Sequence, residues 1–297
     1  MDRAIKNLSI DFDMSEKKLL VASSHKSEAI TKWILENDSL TRLIDIIFIE
    51  ELLNHFDIRD KLDRSGPVIR WHDNQGNRYT NNTHYLLNRV IYIEERLFQR
   101  FRHEDKEYAQ REFEAYLGFA LNAFVSPQVQ AINGICELFM SLPQQWHMVK
   151  KLKSVSIPKY YWGDPNYKFL SDEKNVVHSD IYNCFNWSST QKDNEQETGF
   201  RFVKPNGNPL FVLSIGEKNL ITFDEKLSIK QQERIRDLTQ QIRDLFNYFI
   251  FEILLFIHEE QITFGCINID VIQSVKNLYF DEFMENNLVK ESCKCLN

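Results

Sequence analysis

The pattern of apolar and polar residues changes its period several times along the first part of the chain. Short apolar runs at 17–24 and 44–49 predict buried strands. Apolar residues recur at helical spacing at 27–37 and 50–56, which predicts two helices. A strand–helix–strand–helix order favours a parallel sheet covered by helices, so the first part is predicted to be an α/β domain.

Further strands and helices are predicted along the chain. The segment 68–71 predicts a third strand, 74–77 a tight turn, and 84–90 a strand that contains the pair Asn88-Arg89. A helix is predicted from residue 103 and another at 143–152.

The composition and the spacing of apolar residues both change in the second part of the chain. The segment 162–198 is rich in Asp, Asn, Ser and Lys, and is predicted to form loops. Three apolar runs at 199–203, 210–215 and 220–223 with tight turns between them predict an antiparallel meander. The segment 228–258 predicts one long helix or two.

Length and composition limit the class of protein. With 297 residues, 43% hydrophobic and 27% charged, the chain is long enough for two globular domains, placed at 1–140 and 141–297. A net charge of −7 argues against nucleic-acid binding. The most apolar run, 245–257, is too short to cross about 30 Å of hydrocarbon and is interpreted as a buried helix, so no membrane contact is expected. Five cysteines without zinc-ligand spacing favour a reducing, cytoplasmic location.

Two acidic residues near the C-terminus suggest a metal site. The runs 262–272 and 278–284 both look like strands, joined by a short polar connection, and they carry Asp270 and Glu282. In a β-hairpin these two carboxylates would lie close enough to hold one Mg²⁺. The alternative is an ordinary hairpin with two acids facing solvent. No nucleophile elbow, P-loop, zinc-protease helix, kinase catalytic loop or dinucleotide fingerprint occurs.

The order of these parts resembles the ATP-grasp superfamily of carboxylate–amine ligases. The first strand, the Trp71–Gly76 hairpin and Asn88-Arg89 are similar to a pre-ATP-grasp domain, and Leu210–Phe223 is similar to a strand pair of the ATP-grasp domain. The resemblance implies an α/β fold in which a pre-ATP-grasp Rossmann-like sheet is followed by a shortened ATP-grasp-like domain. It also implies ATP and Mg²⁺ as cofactors.

The resemblance further implies roles for individual residues. Implied metal ligands are Asp270 and Glu282, implied nucleotide-binding residues are Lys174, His178, Lys204 and Lys218, and implied catalytic cations are Arg89 and Arg201. The alternative for each of these cations is an ordinary charged residue at the surface. For Arg89 the alternative is a purely structural interaction with another residue. The chain also departs from the family pattern. The family has an Asn two residues after the metal-binding Glu, and this chain has Met284 there. His178 occupies the position of the lysine that binds the nucleotide phosphates, and Leu210 or Phe211 occupies the position of an arginine.

Two functions remain open at the level of sequence. The first is an ATP- and Mg²⁺-dependent ligase that acts on a small-molecule or peptide carboxylate, with peptide natural-product maturation as a setting. The second is a catalytically degenerate ATP-grasp fold that works as a binding or scaffold partner of another protein. The two acids favour the first, and the missing lysine and Asn favour the second.

Overall fold

The structure is a computed structural model that describes residues 17–64, 66–124, 140–164, 173, 175–182 and 199–294. Within these ranges, no helix combines the length and the apolar character needed to cross a bilayer.

The first half is built around a small parallel sheet. In chain order it contains β1 (Lys18–Ser23), α1 (Ala29–Leu35), β2 (Ile44–Phe48), α2 (Ile49–His55), β3 (Asp57–Ile58), β4 (Lys61–Asp63), β5 (Gly66–Val68), β6 (Arg70–His72), β7 (Arg78–Thr80), β8 (His84–Arg89) and α3 (His103–Asn122). The strand order is β2-β1-β8, and β1 runs parallel to both neighbours. The predicted α/β character and the strand–helix alternation are confirmed.

Short antiparallel strands and α3 cover one side of this sheet. The predicted hairpin is β6–β7, in which Trp71 pairs with Tyr79. The buried Trp71 donates its indole N–H to the hydroxyl of Tyr116 on α3, at 2.6 Å, and Tyr116 donates to the carboxylate of Asp60, also at 2.6 Å. This chain of hydrogen bonds anchors α3, because each buried polar group in it has a partner.

The second half contains two antiparallel sheets. Its elements are α4 (Leu142–Val149), β9 (Tyr160–Trp162), β10 (Val176–His178), β11 (Phe200–Val203), β12 (Asn208–Ile215), β13 (Lys218–Thr222), α5 (Ile229–Phe246), β14 (Ile250–His258), β15 (Gln261–Asn268) and α6 (Phe280–Lys294). The larger sheet has the order β13-β12-β14-β15 and the smaller one β10-β11-β9. Part of the predicted loop segment 162–198 is therefore strand β10, and much of the remainder lies outside the described residues.

The predicted buried helix at 245–257 is wrong. Helix α5 ends at Phe246, because Asn247 adopts the left-handed conformation (φ 55°) that terminates helices, and strand β14 follows. Residues 250–257 are all buried, since β14 is paired on both edges and covered on both faces. A strand buried in this way has a continuous apolar run, which periodicity alone does not separate from a buried helix.

The predicted three-stranded meander is also only partly right. Strands β12 and β13 pair as expected, but β11 belongs to the smaller sheet. The second edge of β12 is occupied by β14 over eight residue pairs, so β11 has no edge to join there.

The two halves share one apolar core. Leu19, Val21 and Leu87 from the parallel sheet lie in the same buried cluster as Leu213 of β12 and Met284 of α6. The Trp33 indole of α1 also donates a hydrogen bond to the Asp281 carboxylate of α6, at 3.0 Å. The division at 140/141 stays a prediction, because this shared core ties the two parts together.

A β-bulge in β15 is stabilised by α4. Gly265 is skipped in the pairing of β14 with β15, and a Cβ atom there would lie 2.8 Å from Cγ of Leu254. The bulge turns the Gly265 carbonyl toward α4, where it accepts a hydrogen bond from the indole N–H of the buried Trp146, at 2.7 Å. Helix α4 therefore covers an edge of the sheet that would otherwise expose an unpaired carbonyl.

Replacing Trp146 with Phe tests this contact. The variant keeps a ring but leaves the buried Gly265 carbonyl without its donor, which costs about 1–3 kcal/mol of unfolding free energy. Urea unfolding measures the loss, and Trp162→Phe, at a site that is 61% exposed, is the matched control. Equal stabilities of the two variants would contradict the proposed role of α4.

Candidate functional site

Three chain segments meet at the carboxyl ends of the parallel strands. Strand β1 is central, and both of its neighbours run parallel to it, so the loops after β1 and β8 leave the same edge. Open α/β sheets bind ligands in crevices at such edges. The end of β15 from the second half lies over this edge, and Arg89 of β8 donates a hydrogen bond to the Ile269 carbonyl, at 2.7 Å.

A buried ion pair holds this junction together. The Glu28 carboxylate accepts hydrogen bonds from Arg89 Nη2 at 2.5 Å and Nε at 3.1 Å, and both side chains are buried. The same carboxylate accepts the backbone N–H of Thr31 at 2.8 Å and therefore caps helix α1. Burial raises the pKa of Glu28, but the Arg89 charge and the hydrogen bonds outweigh it, so the pKa is lowered overall. The guanidinium is committed to the protein itself, which favours the structural alternative for Arg89.

Asp270 lies immediately beside this ion pair. It follows the end of β15 and is half-buried, and its backbone N–H is donated to the side-chain oxygen of Asn268, at 3.0 Å. Burial raises the pKa of the Asp270 carboxyl, the negative charge of Glu28 raises it further, and Arg89 and His25 oppose the shift. The carboxylate accepts no hydrogen bond and joins no ion pair within the described ranges.

The predicted hairpin between Asp270 and Glu282 is wrong. Residues 274–276 form a single 3₁₀ turn, and Glu282 is exposed in the first turn of helix α6. Phe280, Met284 and Leu288 are buried at a spacing of four residues, which is the period of a helix. The charges acting on the Asp270 carboxylate come from Glu28, Arg89 and His25, and Glu282 is not among them. The metal-binding roles of Asp270 and Glu282 stay a prediction, now without the hairpin that motivated it.

The hairpin that does exist pairs β14 with β15. In it Glu252 lies directly opposite Asn268. Glu252 is fully buried, and its carboxylate accepts the backbone N–H groups of Ile272 at 3.3 Å, Gln273 at 3.1 Å and Ser274 at 2.5 Å. Burial raises its pKa, and these hydrogen bonds act in the opposite direction.

This hairpin shows which residues were missed at the sequence level. The resemblance implies an acid and, two residues later, an Asn on the second strand of a hairpin. In the sequence analysis these two positions were assigned to Glu282 and Met284. On β15 the same spacing of two residues separates Cys266 from Asn268, and Glu252 lies opposite Asn268 on the facing strand. Cys266 is not an acid, and Glu252 lay in the run misassigned to a helix, so neither residue was singled out.

The residues of the β14–β15 hairpin do not fit a magnesium ion. Mg²⁺ requires several oxygen ligands in near-octahedral geometry. The oxygens of Glu252 and Asn268 already accept four backbone N–H groups from residues 270–274, whose positive ends point where a cation would have to sit. Cys266 is buried in the apolar core, and thiolates suit softer metals. No group of three His, Cys, Asp or Glu side chains able to hold a metal occurs in the part of the chain that the structure describes.

The predicted nucleotide-binding cations are only partly brought together. His178 of β10 pairs with Arg201 of β11, and Arg201 pairs with Tyr161 of β9, so the three side chains form one row across the smaller sheet. The Arg201 guanidinium lies 4.9 Å from the Tyr161 ring centroid. Lys204 follows β11 and is half-buried, whereas Lys218 is exposed on a different sheet. Lys174 lies outside the described residues.

Comparison with known proteins places this geometry in context. No family model matches the chain, and no curated protein matches it. Among solved structures, the macrocyclase MdnC of Microcystis aeruginosa MRC, bound with precursor peptide MdnA, superimposes with a TM-score of 0.70 at 10% identity, covering 92% of this chain and 99% of that chain. The chain has the ATP-grasp fold.

Two further structures agree with this assignment. A RiPP-associated ATP-grasp ligase of Chryseobacterium gregarium, in complex with ADP and a leader and core peptide, has a TM-score of 0.63 at 12% identity and covers 93% of this chain and 95% of that chain. The ATP-grasp ligase PsnB with a minimal precursor has a TM-score of 0.62 at 9% identity, with coverage of 93% and 99%. At these identities the likeness shows the fold alone, and the predicted fold class and resemblance are confirmed.

Glu252→Gln tests the hydrogen bonds of the β14–β15 hairpin. The amide has one acceptor oxygen and turns an NH₂ group toward backbone donors, so a loss of about 1–3 kcal/mol in unfolding free energy is expected. The exposed Glu233→Gln on α5 is the matched control in urea unfolding. A Glu252→Gln variant as stable as the control would mean that the carboxylate does not hold the 272–274 turn.

Arg89→Leu tests the buried ion pair. The variant leaves the Glu28 carboxylate buried without its cation, which typically costs about 3–5 kcal/mol. Because the folded pKa of Glu28 is lowered, the stability it contributes to the wild type is present above the unfolded pKa of 4.5 and is lost as pH falls through the folded pKa. Unfolding measured from neutral to acidic pH should therefore show the difference between wild type and Arg89→Leu shrinking in acid. The exposed Arg111→Leu is the control, and a difference independent of pH would contradict this assignment.

Proposed function

We propose that this chain is a peptide-binding protein that retains the ATP-grasp fold without carrying out ATP-dependent ligation. The observation that carries the proposal is the state of the β14–β15 hairpin. The Glu252 carboxylate accepts three backbone N–H groups, the facing Asn268 oxygen accepts a fourth, and Cys266 is buried in the apolar core.

Ligation by phosphorylation of a carboxylate needs groups that neutralise charge on the phosphates. Metal ions and fixed cations supply this stabilisation in phosphoryl transfer. A fully buried carboxylate that holds a turn is not available for that task, since breaking its hydrogen bonds would leave buried donors unpaired. His178 also stands at the place where the resemblance implies a lysine.

The proposal that the ligand is a peptide is supported by the structural neighbours. MdnC is bound with precursor peptide MdnA, the Chryseobacterium ligase with a leader and core peptide, and PsnB with a minimal precursor. This chain spans 95–99% of each of these proteins. A chain of this extent can retain a peptide-binding surface after the reaction centre has changed.

A second candidate is an ATP- and Mg²⁺-dependent ligase acting on a peptide carboxylate. It is favoured by neighbours that carry ADP, or Mg and ADP, together with a peptide. In this role Asp270 and Glu282 remain the proposed metal ligands. The proposed nucleotide-binding residues remain Lys174, His178, Lys204 and Lys218, and Arg201 remains a proposed catalytic cation. The row formed by His178 and Arg201 is the feature of this chain that supports it best.

Thermal unfolding in the presence of Mg-ATP separates the two candidates. A ligand that binds only the folded state at 100 times its dissociation constant adds about 2.7 kcal/mol of stability, which shifts the melting temperature by several degrees. We expect no shift with millimolar Mg-ATP. A shift that Asp270→Asn abolishes, together with ADP formation when peptide is added, would establish the ligase instead.

The peptide part of the proposal needs its own measurement. Selection of a displayed peptide library against the full chain, without nucleotide, is expected to enrich peptides whose synthetic versions bind the protein. Absence of any enriched sequence that binds in titration would contradict peptide binding, whatever the result with Mg-ATP.

A further inference from the structure

An open groove lies between the outer face of helix α3 and strand β5. Its volume is about 510 Å³, within the range of roughly 300–1,000 Å³ that ligand pockets have. The residues that line it all belong to the described part of the chain: Pro67, Ala115, Gly118, Phe119, Asn122 and Ala123. The groove is therefore mainly apolar, and none of its residues belongs to the junction around Glu28 and Arg89.

Small residues of α3 form the floor of this groove, and larger apolar side chains form its rim. Ala115 and Gly118 carry little or no side chain, although glycine in the middle of a helix is less favourable than alanine. Phe119 is 40% exposed and stands on the helix side. On the hairpin side Leu62 is 72% exposed, and it shares the face of its cross-strand partner Pro67. An apolar side chain of a ligand would thus be surrounded on both sides.

Asn81 fixes the distance between the two walls. Its side-chain amide donates hydrogen bonds to the Pro67 carbonyl of β5, at 2.9 Å, and to the Ala123 carbonyl after α3, at 3.0 Å. Its side-chain oxygen accepts the backbone N–H of Ile69, at 3.1 Å. The groove is therefore formed before a ligand binds, which lowers the entropy cost of binding.

The same contacts limit how a ligand could be recognised. A peptide that added a strand to β5 would need the backbone groups along that edge. The Pro67 carbonyl and the Ile69 N–H already have Asn81 as their partner. Recognition in the groove therefore depends on side chains of the ligand.

An acid on α3 sets the charge beside the groove. Glu112 is exposed and precedes Ala115 by three residues, so it lies on the same side of the helix, one turn away. It forms no ion pair within the described ranges, whereas the neighbouring Arg111 is paired with Glu107. A cation on the ligand would therefore meet an acid that has no cation of its own.

The hairpin wall carries two cations, and neither of them lies on the groove face of a strand. Lys61 points to the other face of the hairpin from Leu62 and Pro67, because side chains alternate along a strand. Arg64 lies in the turn between β4 and β5, beyond the paired residues. Glu112, one helical turn from the groove, is therefore the charge that decides the sign of the ligand.

We infer that this groove binds a short peptide segment in which an aliphatic side chain enters between Pro67 and Phe119 and an adjacent lysine or arginine pairs with Glu112. The inference rests on the proposed peptide-binding function, and it gives that function a surface and a ligand chemistry.

Three acetylated and amidated tetrapeptides test the groove by two-dimensional NMR titration of the full chain. Their sequences are Gly-Leu-Lys-Gly, Gly-Leu-Glu-Gly and Gly-Ser-Lys-Gly. The leucine–lysine peptide is expected to shift the amide resonances of residues 115–123 in a saturable way, and to bind about two- to tenfold more tightly than the leucine–glutamate peptide. The serine peptide is expected to bind more weakly than either, because it has no apolar side chain to bury.

Two outcomes of this titration would overturn the inference. The first is the absence of saturable shifts at residues 115–123 with the leucine–lysine peptide up to its solubility limit. The second is a leucine–glutamate peptide that binds as tightly as the leucine–lysine peptide, or more tightly.

Substitutions make the test specific. Ala115→Trp fills the groove from an exposed position and is expected to weaken binding of the leucine–lysine peptide about tenfold or more. Gln240→Trp, at an exposed site on α5, is the matched control and should bind as the wild type does. Glu112→Lys is expected to reverse the charge preference, so that the leucine–glutamate peptide binds more tightly. Unchanged binding by a folded Ala115→Trp, or an unchanged preference in Glu112→Lys, would refute the groove.

A comparison with selected peptides separates failure of the groove from failure of the proposed function. Peptides enriched from the displayed library are titrated against the wild type and Ala115→Trp. Equal binding to both would overturn the groove and leave peptide binding standing. Weaker binding to Ala115→Trp than to Gln240→Trp would support the groove as the peptide site.

Discussion

The hydrogen bonds between the Glu252 carboxylate and the 272–274 turn are the constraint on which the second half depends. Strand β14 is buried on both faces and paired on both edges, so a carboxyl group near its start is tolerated only if the surrounding structure satisfies it. Three backbone N–H groups do so. In the same step they fix the path of the chain from β15 to α6, and with it the position of Asp270.

The buried ion pair of Glu28 and Arg89 constrains the first half of the structure in a similar way. Glu28 caps α1, and Arg89 ends β8 and reaches the Ile269 carbonyl of the second half. Removing one partner of such a pair is costly, although the pair itself adds little net stability. Its importance is geometric, because it sets the end of β15 against the edge of the parallel sheet.

Much of the fold could be predicted from the sequence because local periodicity and tertiary structure agree in it. The run at 17–24 and the helical spacing at 27–37 have one simple interpretation, and the structure has β1 and α1 there. The failures lie where a pattern fits two structures. The run at 245–257 is apolar throughout, so only Asn247 and the abundance of β-branched and aromatic residues distinguish a strand that is paired on both edges. The segment 278–284 is too short for its buried spacing of four to stand out.

The candidate site was harder to predict because it depends on pairing between distant segments. Arg89 and Asp270 were named as candidates from the sequence. No local sequence feature shows that Glu28 would form an ion pair with Arg89, or that Asp270 would lie beside this pair. Glu252 and Asn268 face each other only through the register of β14 and β15, and a misassigned element concealed that register. The hydrogen-bond partners of a buried carboxylate belong to the folded state and cannot be read from its neighbours in sequence.

The oxygens of the β14–β15 hairpin are occupied by the protein's own amides, so we expect them not to hold a divalent cation. Paramagnetic broadening of amide resonances by Mn²⁺, with and without ATP, tests it directly, because Mn²⁺ substitutes for Mg²⁺ at oxygen sites. We expect residues 250–254 and 266–274 to show no broadening beyond that of exposed surface acids. Strong broadening confined to Glu252, Asn268 and their neighbours at stoichiometric Mn²⁺ would contradict it.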